Sequence, residues 1–150
     1  MKLMRRLTGT TALQQDLALL AIRLWFGLML AFGHGLPKTM DLAGFLETVR
    51  EHPIAMPELA APAAALTELV GGVLLALGLV ARVAAVPVLA TMLTAAFVVH
   101  RADPFVGVKE LALTYALAAL VILVAGAGRF SLDRLIFGRG AAAERDKPLP

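Results

Sequence analysis

The chain contains no cysteine among its 150 residues. This absence excludes disulfides, thiol redox chemistry, cysteine-ligated iron–sulfur clusters and thiolate metal sites. Charged residues make up only 17% of the sequence and aromatic residues only 6%, with one tryptophan and one tyrosine. The net charge is only +3, and the basic residues cluster near the chain ends, a pattern that suits membrane orientation better than nucleic-acid binding.

Apolar sequence, in contrast, is abundant. Hydrophobic residues make up 59% of the chain, more than the interior of one soluble domain of this size accommodates, which indicates a lipid-facing exterior. Four long apolar runs follow one another at residues 17–36, 60–80, 83–99 and 108–125. A run of about 20 helical residues, at about 1.5 Å per residue, crosses the ~30 Å hydrocarbon core. The predicted fold is therefore all-α: an integral membrane four-helix bundle.

The first run begins after MKLMRR, which is similar to the basic start of a signal peptide. Arg23 interrupts the apolar core, however, and no small-residue cleavage site follows at the right distance. A retained first helix, closed by Pro37 and Lys38, is the favoured interpretation.

The distribution of basic residues predicts the orientation of the bundle. With four spans, nine lysines and arginines share the side of both termini and four lie on the other side. The prediction is a cytoplasmic segment at 1–16, a membrane domain at 17–128 and a cytoplasmic tail at 129–150, in a bacterial inner membrane.

The connection between the first two spans has an amphipathic pattern. Its apolar residues Leu42, Phe45, Leu46 and Val49 recur on one helical face. This predicts a short amphipathic helix in the first outer loop, either a plain connector or a lid over the bundle.

Two ionisable residues interrupt the apolar runs: Arg23 in the first and Glu68 in the second. Such groups cost about 2.5–3.5 kcal/mol on insertion scales, so they usually face a protein interior or a polar cavity. Small residues place them on packed faces. Gly27, Ala31 and Gly35 form one stripe with Arg23, and a second stripe shared by Glu68 consists of Ala61, Ala65 and Gly72.

Helix register brings further polar residues towards the outer half of the bundle. The predicted cluster consists of His34, Lys38, Glu68, His100 and Glu110, with Arg23 deeper in the membrane. Ordinary roles stay open for its members: interface positions for the histidines, an anchor for Lys38, a helix-start acid at Glu110 and snorkelling for Arg23. Tyr115 is interpreted as a packing residue.

The chemistry of this cluster is limited in kind. Partly buried His and Glu relay protons, and they hydrogen-bond the carbonyls of a quinone head group while apolar helices hold its tail. A metal site is not favoured, because no Glu-x-x-His pattern occurs on two helices.

Several motifs resemble the DoxX family of membrane proteins over about residues 17–135. They are, in chain order, RLWFGLMLAFGHGLPK, ELVGGVLLALGLVAR, His100 followed by KELALTYALAALVIL, and GAGRFSLDRL. The resemblance implies a four-helix bundle and a link to quinone-coupled oxidation, since some relatives are described as subunits of thiosulfate:quinone oxidoreductase. It carries over Arg23, Lys38, Glu68, His100 and Glu110 as the family's polar positions.

The leading hypothesis is a membrane subunit of a quinone-linked oxidoreductase system. Catalytic roles are assigned to Glu68, His100 and Glu110, and ligand contacts to Arg23, His34 and Lys38. The expected cofactor is a quinone, with no metal or thiol cofactor, and the expected partners are the bilayer, a redox protein and a second copy of the chain. The alternatives are a carrier for a small solute or proton, and a non-enzymatic scaffold for redox proteins, for which the tail and the first outer loop offer surfaces.

Overall fold

A computed structural model describes residues 11–138. This part of the chain folds into helices and contains no strand. The helices are α1 (Ala12–Met40), α2 (Leu42–Arg50), α3 (Pro57–Leu77), α4 (Ala81–Val99), α5 (Phe105–Ala125) and α6 (Leu132–Ile136). Four of them, α1, α3, α4 and α5, are long and apolar enough to cross a membrane, which confirms the predicted all-α membrane bundle.

The four crossings give the bundle two distinct ends. The terminal end carries the start of α1, the α3–α4 turn and the segment after α5. The loop end carries α2 and the α4–α5 connection at residues 100–104. Two spanning helices begin a few residues before their predicted starts: α1 at a cap formed by Thr11, and α3 at Pro57.

The first helix does not end at Pro37, so the predicted closure there is wrong. The preceding segment, Met29–Gly35, is a π-helical stretch, and the Leu36 amide donates to the Ala31 carbonyl five residues back. A proline normally disrupts a helix because it lacks an amide hydrogen and crowds the carbonyl four residues back. A π turn shifts those hydrogen bonds and lets the helix continue to Met40.

Small residues bring α1 and α3 into backbone contact, as the stripes predicted. Gly27, Ala31 and Gly35 are buried against α3, and a side chain at Gly72 would meet the Ala31 amide at 2.7 Å. In lipid the hydrophobic effect does not drive helices together, so close backbone packing stabilises the contact instead. On the other side of the bundle α4 packs extensively against α5 through alanines, including Ala84, Ala85 and Ala116.

The amphipathic helix predicted in the first loop is α2. Its start is fixed by Asp41, whose carboxylate accepts a hydrogen bond from the Gly44 amide at 3.0 Å. Val49 on its apolar face is buried against the bundle. Arg50 bonds Glu47 at 2.6 Å and Glu58 of α3 at 3.1 Å, so α2 is tied to the start of α3.

The segment after α5 folds back onto the terminal end. The Asp133 carboxylate accepts hydrogen bonds from the Val80 amide at 2.6 Å and from the Ala81 amide at 3.0 Å. It thereby caps the start of α4. The Asp133 amide in turn donates to the Gly78 carbonyl at 2.9 Å. Residues 129–138 of the predicted tail are therefore docked on the bundle, while residues 1–10 and 139–150 lie outside the described part.

Candidate functional site

An ion pair between α1 and α3 forms the centre of the site. The Lys38 ammonium lies 2.6 Å from each oxygen of the Glu68 carboxylate. Glu68 is only 2% exposed, whereas the Lys38 side chain is 29% exposed. Pairing offsets the cost of holding the carboxylate at membrane depth, and the Lys38 ammonium also lies 4.8 Å from the centre of the Phe45 ring on α2.

The local structure of both helices brings this pair together. Gly35 lies against the backbone of Glu68 and Leu69, so that α1 and α3 touch where Lys38 leaves α1 about one turn later. Glu68 belongs to a π-helical stretch, Thr67–Gly71, and a third such stretch, Ala95–Val99, precedes His100. Wide turns of this kind re-aim side chains and are frequent at functional sites.

A cavity of about 460 Å³, here called the outer cavity, lies under α2 beside this pair. Its polar wall includes Lys38, Glu68, His52 and His100, together with the four threonines Thr48, Thr67, Thr91 and Thr94. The remaining lining is apolar and mostly small, from Phe45, Val49, Ile54, Ala60, Ala63, Ala64, Ala90, Ala95 and Val99. An apolar cavity with a few convergent polar groups is the usual form of a small-molecule site.

The outer cavity opens sideways between α3 and α4. The first part of α3, Pro57–Leu66, packs on α2 and α1 but scarcely touches α4. Ala63 on α3, with Ala90 and Thr94 on α4, lines the cavity and remains exposed within the spanning segments. The opening is therefore at membrane depth, while α2 covers the loop end.

A smaller cavity of about 70 Å³, here called the inner chamber, lies on the other side of the ion pair. Its polar groups are His34, Lys38, Glu68, His100 and Tyr115. The His34 and Tyr115 rings meet edge to face at 5.2 Å between centroids. Lys38, Glu68, Ala95 and His100 line both cavities, so the ion pair stands between them.

Comparison of the sequence with models of known protein families gives a match. The family model for DoxX matches residues 18–101, more than half of the chain. The chain belongs to the DoxX family. Comparisons with curated proteins and with solved structures give no match. The matched range contains four site residues, His34, Lys38, Glu68 and His100, whereas Glu110 and Tyr115 lie beyond it.

The structure of this DoxX-family chain brings four of the six predicted site residues together: His34, Lys38, Glu68 and His100. Glu110 lines neither cavity, contrary to the predicted cluster. Val106 and Gly107 have non-helical backbones, so α5 is regular only from about Glu110 onwards. The Glu110 carboxylate is exposed there and accepts from the Gly107 amide at 3.4 Å, as expected of a helix-start acid.

Arg23 lies at the opposite end of the DoxX bundle from the cavities. It is completely buried, and its guanidinium donates to the Phe130 carbonyl at 2.6 Å. Gly78, with a positive φ of 64°, leaves room for it, since a side chain there would overlap the guanidinium. Arg23 therefore neither snorkels to the surface nor contacts Glu68; it holds the segment that follows α5.

Three residues of the site were not singled out by sequence reasoning. Tyr115 was interpreted as a packing residue because it forms no stacking site with Trp25. Phe45 and His52 belong to the connection between α1 and α3, and the apolar face of α2 was the signal that placed Phe45 towards the bundle. Among residues 11–138 no group of three or more potential metal-binding side chains occurs.

Proposed function

We propose that this DoxX-family chain is a membrane subunit of a quinone-linked oxidoreductase system and that a quinone head group binds in the outer cavity. In this proposal the chain lies in the bacterial cytoplasmic membrane with both termini cytoplasmic, as its basic residues favour. The observation that carries the proposal is a neutral ion pair in an apolar cavity that opens at membrane depth.

The charge of the site favours a neutral ligand. Lys38 and Glu68 cancel one another, so the pair offers no excess charge to an ion. An ammonium has three donors, and with two engaged by the Glu68 carboxylate, one N–H of Lys38 remains for a carbonyl oxygen in the cavity. A quinone presents such carbonyls on a flat apolar ring. Lys38 and His100 are the residues that would hold it, with Phe45 packing against the ring.

The route to the cavity favours a ligand dissolved in lipid. The opening between α3 and α4 is bordered by Ala63, Ala90 and Thr94, whose small side chains leave it clear. An isoprenoid tail in this opening would stay in the hydrocarbon region while the head group reaches Lys38. A water-soluble solute would instead have to pass α2, which is tied to α3 through Arg50 and Glu58.

A bound quinone would accept electrons and protons, and a partner redox protein would deliver the electrons. The chain's own residues would orient the head group and hold protons close to it, at the Lys38 ammonium and the His100 imidazole. Imidazole is the side chain that exchanges protons most readily near neutral pH. Glu68 would keep the ammonium in position and balance its charge.

Photolabelling tests this proposal directly. Full-length protein in lipid nanodiscs is illuminated with a short-chain benzoquinone that carries an azido group, and the labelled peptides are mapped by mass spectrometry. Saturable labelling of the outer cavity, at residues such as Phe45, Thr91 and Thr94, is expected, and an excess of the unmodified benzoquinone should suppress it. Labelling that does not saturate, or that falls only on lipid-facing residues such as Leu117, would overturn the proposal.

A pair of variants on α4 provides the matched control. Ala90→Phe places an aromatic ring in the opening, so the saturable labelling should fall several-fold. Val83→Phe adds similar bulk to a residue that is 70% exposed on the same helix but lines neither cavity, and labelling should remain at the wild-type level. Equal labelling of both variants would contradict access through this opening.

A further inference from the structure

The inner chamber has more polar groups than its size and depth would lead one to expect. The chamber has a volume of about 70 Å³. Its lining includes His34 and Lys38 from α1, Glu68 from α3, His100 from the end of α4 and Tyr115 from α5. Every spanning helix thus directs an ionisable or hydroxyl group into one small space. Such a convergence in a membrane interior is costly unless the groups have partners.

Water is the partner that fits this space. Within residues 11–138 neither the Tyr115 hydroxyl nor the His34 ring makes a hydrogen bond to protein, although Tyr115 is only 7% exposed. A cavity needs a volume of about 10–15 Å³ to hold one water molecule, and polar cavities of sufficient size are hydrated. The chamber has room for more than one water molecule and has the polar groups to hold them.

The chamber is also connected to the aqueous surface at the loop end. His100 lines both the chamber and the outer cavity. Its Nδ1 atom lies 2.7 Å from a carboxylate oxygen of Asp103, which is 49% exposed. A carboxylate that orients an imidazole in this way is a common arrangement in proton transfer.

We propose that the inner chamber is a hydrated proton reservoir that resupplies Lys38 from the loop-end surface through His100. This inference rests on the proposed function, in which a ligand oxygen accepts a proton in the outer cavity. The Nζ–H bond of Lys38 breaks as that proton leaves, and the resulting amine regains a proton from chamber water. The water is reprotonated by the His100 imidazolium, which recovers its proton from the medium beside Asp103. One proton is thus transferred from the medium to the ligand, and Glu68 remains a carboxylate throughout.

Hydroxyl-radical footprinting of the ligand-free protein tests the hydration of the chamber. X-rays generate radicals from bound water, and these oxidise the side chains that touch it. Met92 lines the chamber and is 4% exposed, whereas Met29 is 41% exposed on a spanning helix. In nanodiscs Met92 should be oxidised several-fold faster than lipid-facing Met29. Oxidation of Met92 at or below the rate of Met29 would overturn the proposal.

Proton delivery is tested on the full-length protein loaded with a short-chain benzoquinone and reduced at an electrode. His100→Ala should slow proton uptake from the medium by at least about tenfold, and added imidazole should restore it. Glu51→Gln removes an exposed carboxylate at the same end and should have no effect. Slow uptake without rescue by imidazole would contradict the role of His100. A failure of benzoquinone to bind would contradict the proposed function but leave the Met92 result intact, so the two failures are distinguishable.

Discussion

The Lys38 ammonium contacts both oxygens of the Glu68 carboxylate at 2.6 Å, although the two residues lie on different helices. The pair is unequal, because Glu68 is almost fully buried whereas the Lys38 side chain is 29% exposed. Replacing one partner should therefore reduce the stability of the protein by a different amount than replacing the other.

Lys38→Met should destabilise the protein more than Glu68→Gln does. The first change leaves a buried carboxylate without a counter-charge, at a cost of about 3–5 kcal/mol. The second leaves a partly exposed ammonium that water can solvate, at a cost of about 1–3 kcal/mol. Thermal unfolding of the two variants in detergent measures the difference. The double variant Lys38→Met with Glu68→Leu should recover part of the loss, and equal losses for the two single variants would contradict the asymmetry.

Gly35→Ala should weaken the contact between α1 and α3. An added Cβ would lie 2.6 Å from the Leu69 Cα and 2.7 Å from the Glu68 carbonyl carbon, and overpacking of this kind costs about 1–3 kcal/mol. Gly33→Ala is the matched control two residues away, since nothing lies within 4 Å of a Cβ there. That variant should be neutral or gain up to about 1 kcal/mol in helix propensity. If the unfolding midpoints of Gly35→Ala and Gly33→Ala moved in the same direction relative to the wild type, the result would argue against the close approach at Gly35.

Asp133→Ala should destabilise the terminal end of the bundle. The change removes two hydrogen bonds that backbone amides at the start of α4 donate to the carboxylate. Loss of a helix cap costs about 0.5–2 kcal/mol. The segment at 129–138 should also become more susceptible to limited proteolysis. Glu51→Ala, at an exposed position of the other end, is the control and should leave both measurements unchanged. Wild-type protease resistance in Asp133→Ala would show that the remaining contacts, such as the hydrogen bond from Arg23 to Phe130, hold the segment without this cap.

Glu110→Gln should leave benzoquinone labelling of the outer cavity unchanged. Its carboxylate is exposed at the start of the regular part of α5 and lines neither cavity. The half-saturating concentration of the azido-benzoquinone should match that of the wild type. A rise of more than about threefold, equivalent to roughly 0.6 kcal/mol, would place Glu110 in the site after all.

Most of the fold could be predicted from the sequence, because lipid imposes a simple rule on length and hydropathy. Apolar runs identified the four spans, and the stripe from Gly27 to Gly35 identified the face of α1 that meets α3. The closure of α1 at Pro37 was wrong because the π-helical stretch before it depends on packing against α3. No local sequence signal marks such a stretch.

The candidate site was predictable only in part. Glu68 stood out because a carboxylate in an apolar run needs a partner, and Lys38 was near enough along α1 to be considered. Glu110 was placed in the cluster by helix register and by the family resemblance, and the irregular backbone at Gly107 was not visible in the sequence. Tyr115 was not predicted to be a site residue, because a tyrosine in an apolar helix does not by itself indicate that it lines a polar cavity.

The sequence by itself determined that this chain spans the membrane four times and buries ionisable groups, because hydrophobic length and the cost of charge in lipid are local properties. The tertiary structure alone decided which of those groups meet. Lys38 and Glu68 pair because Gly35 lets two helices touch, and the Arg23 guanidinium stays buried against the Phe130 carbonyl because Gly78 leaves space for it. Contacts between helices depend on the shape of both surfaces, and that information is not contained in either segment alone.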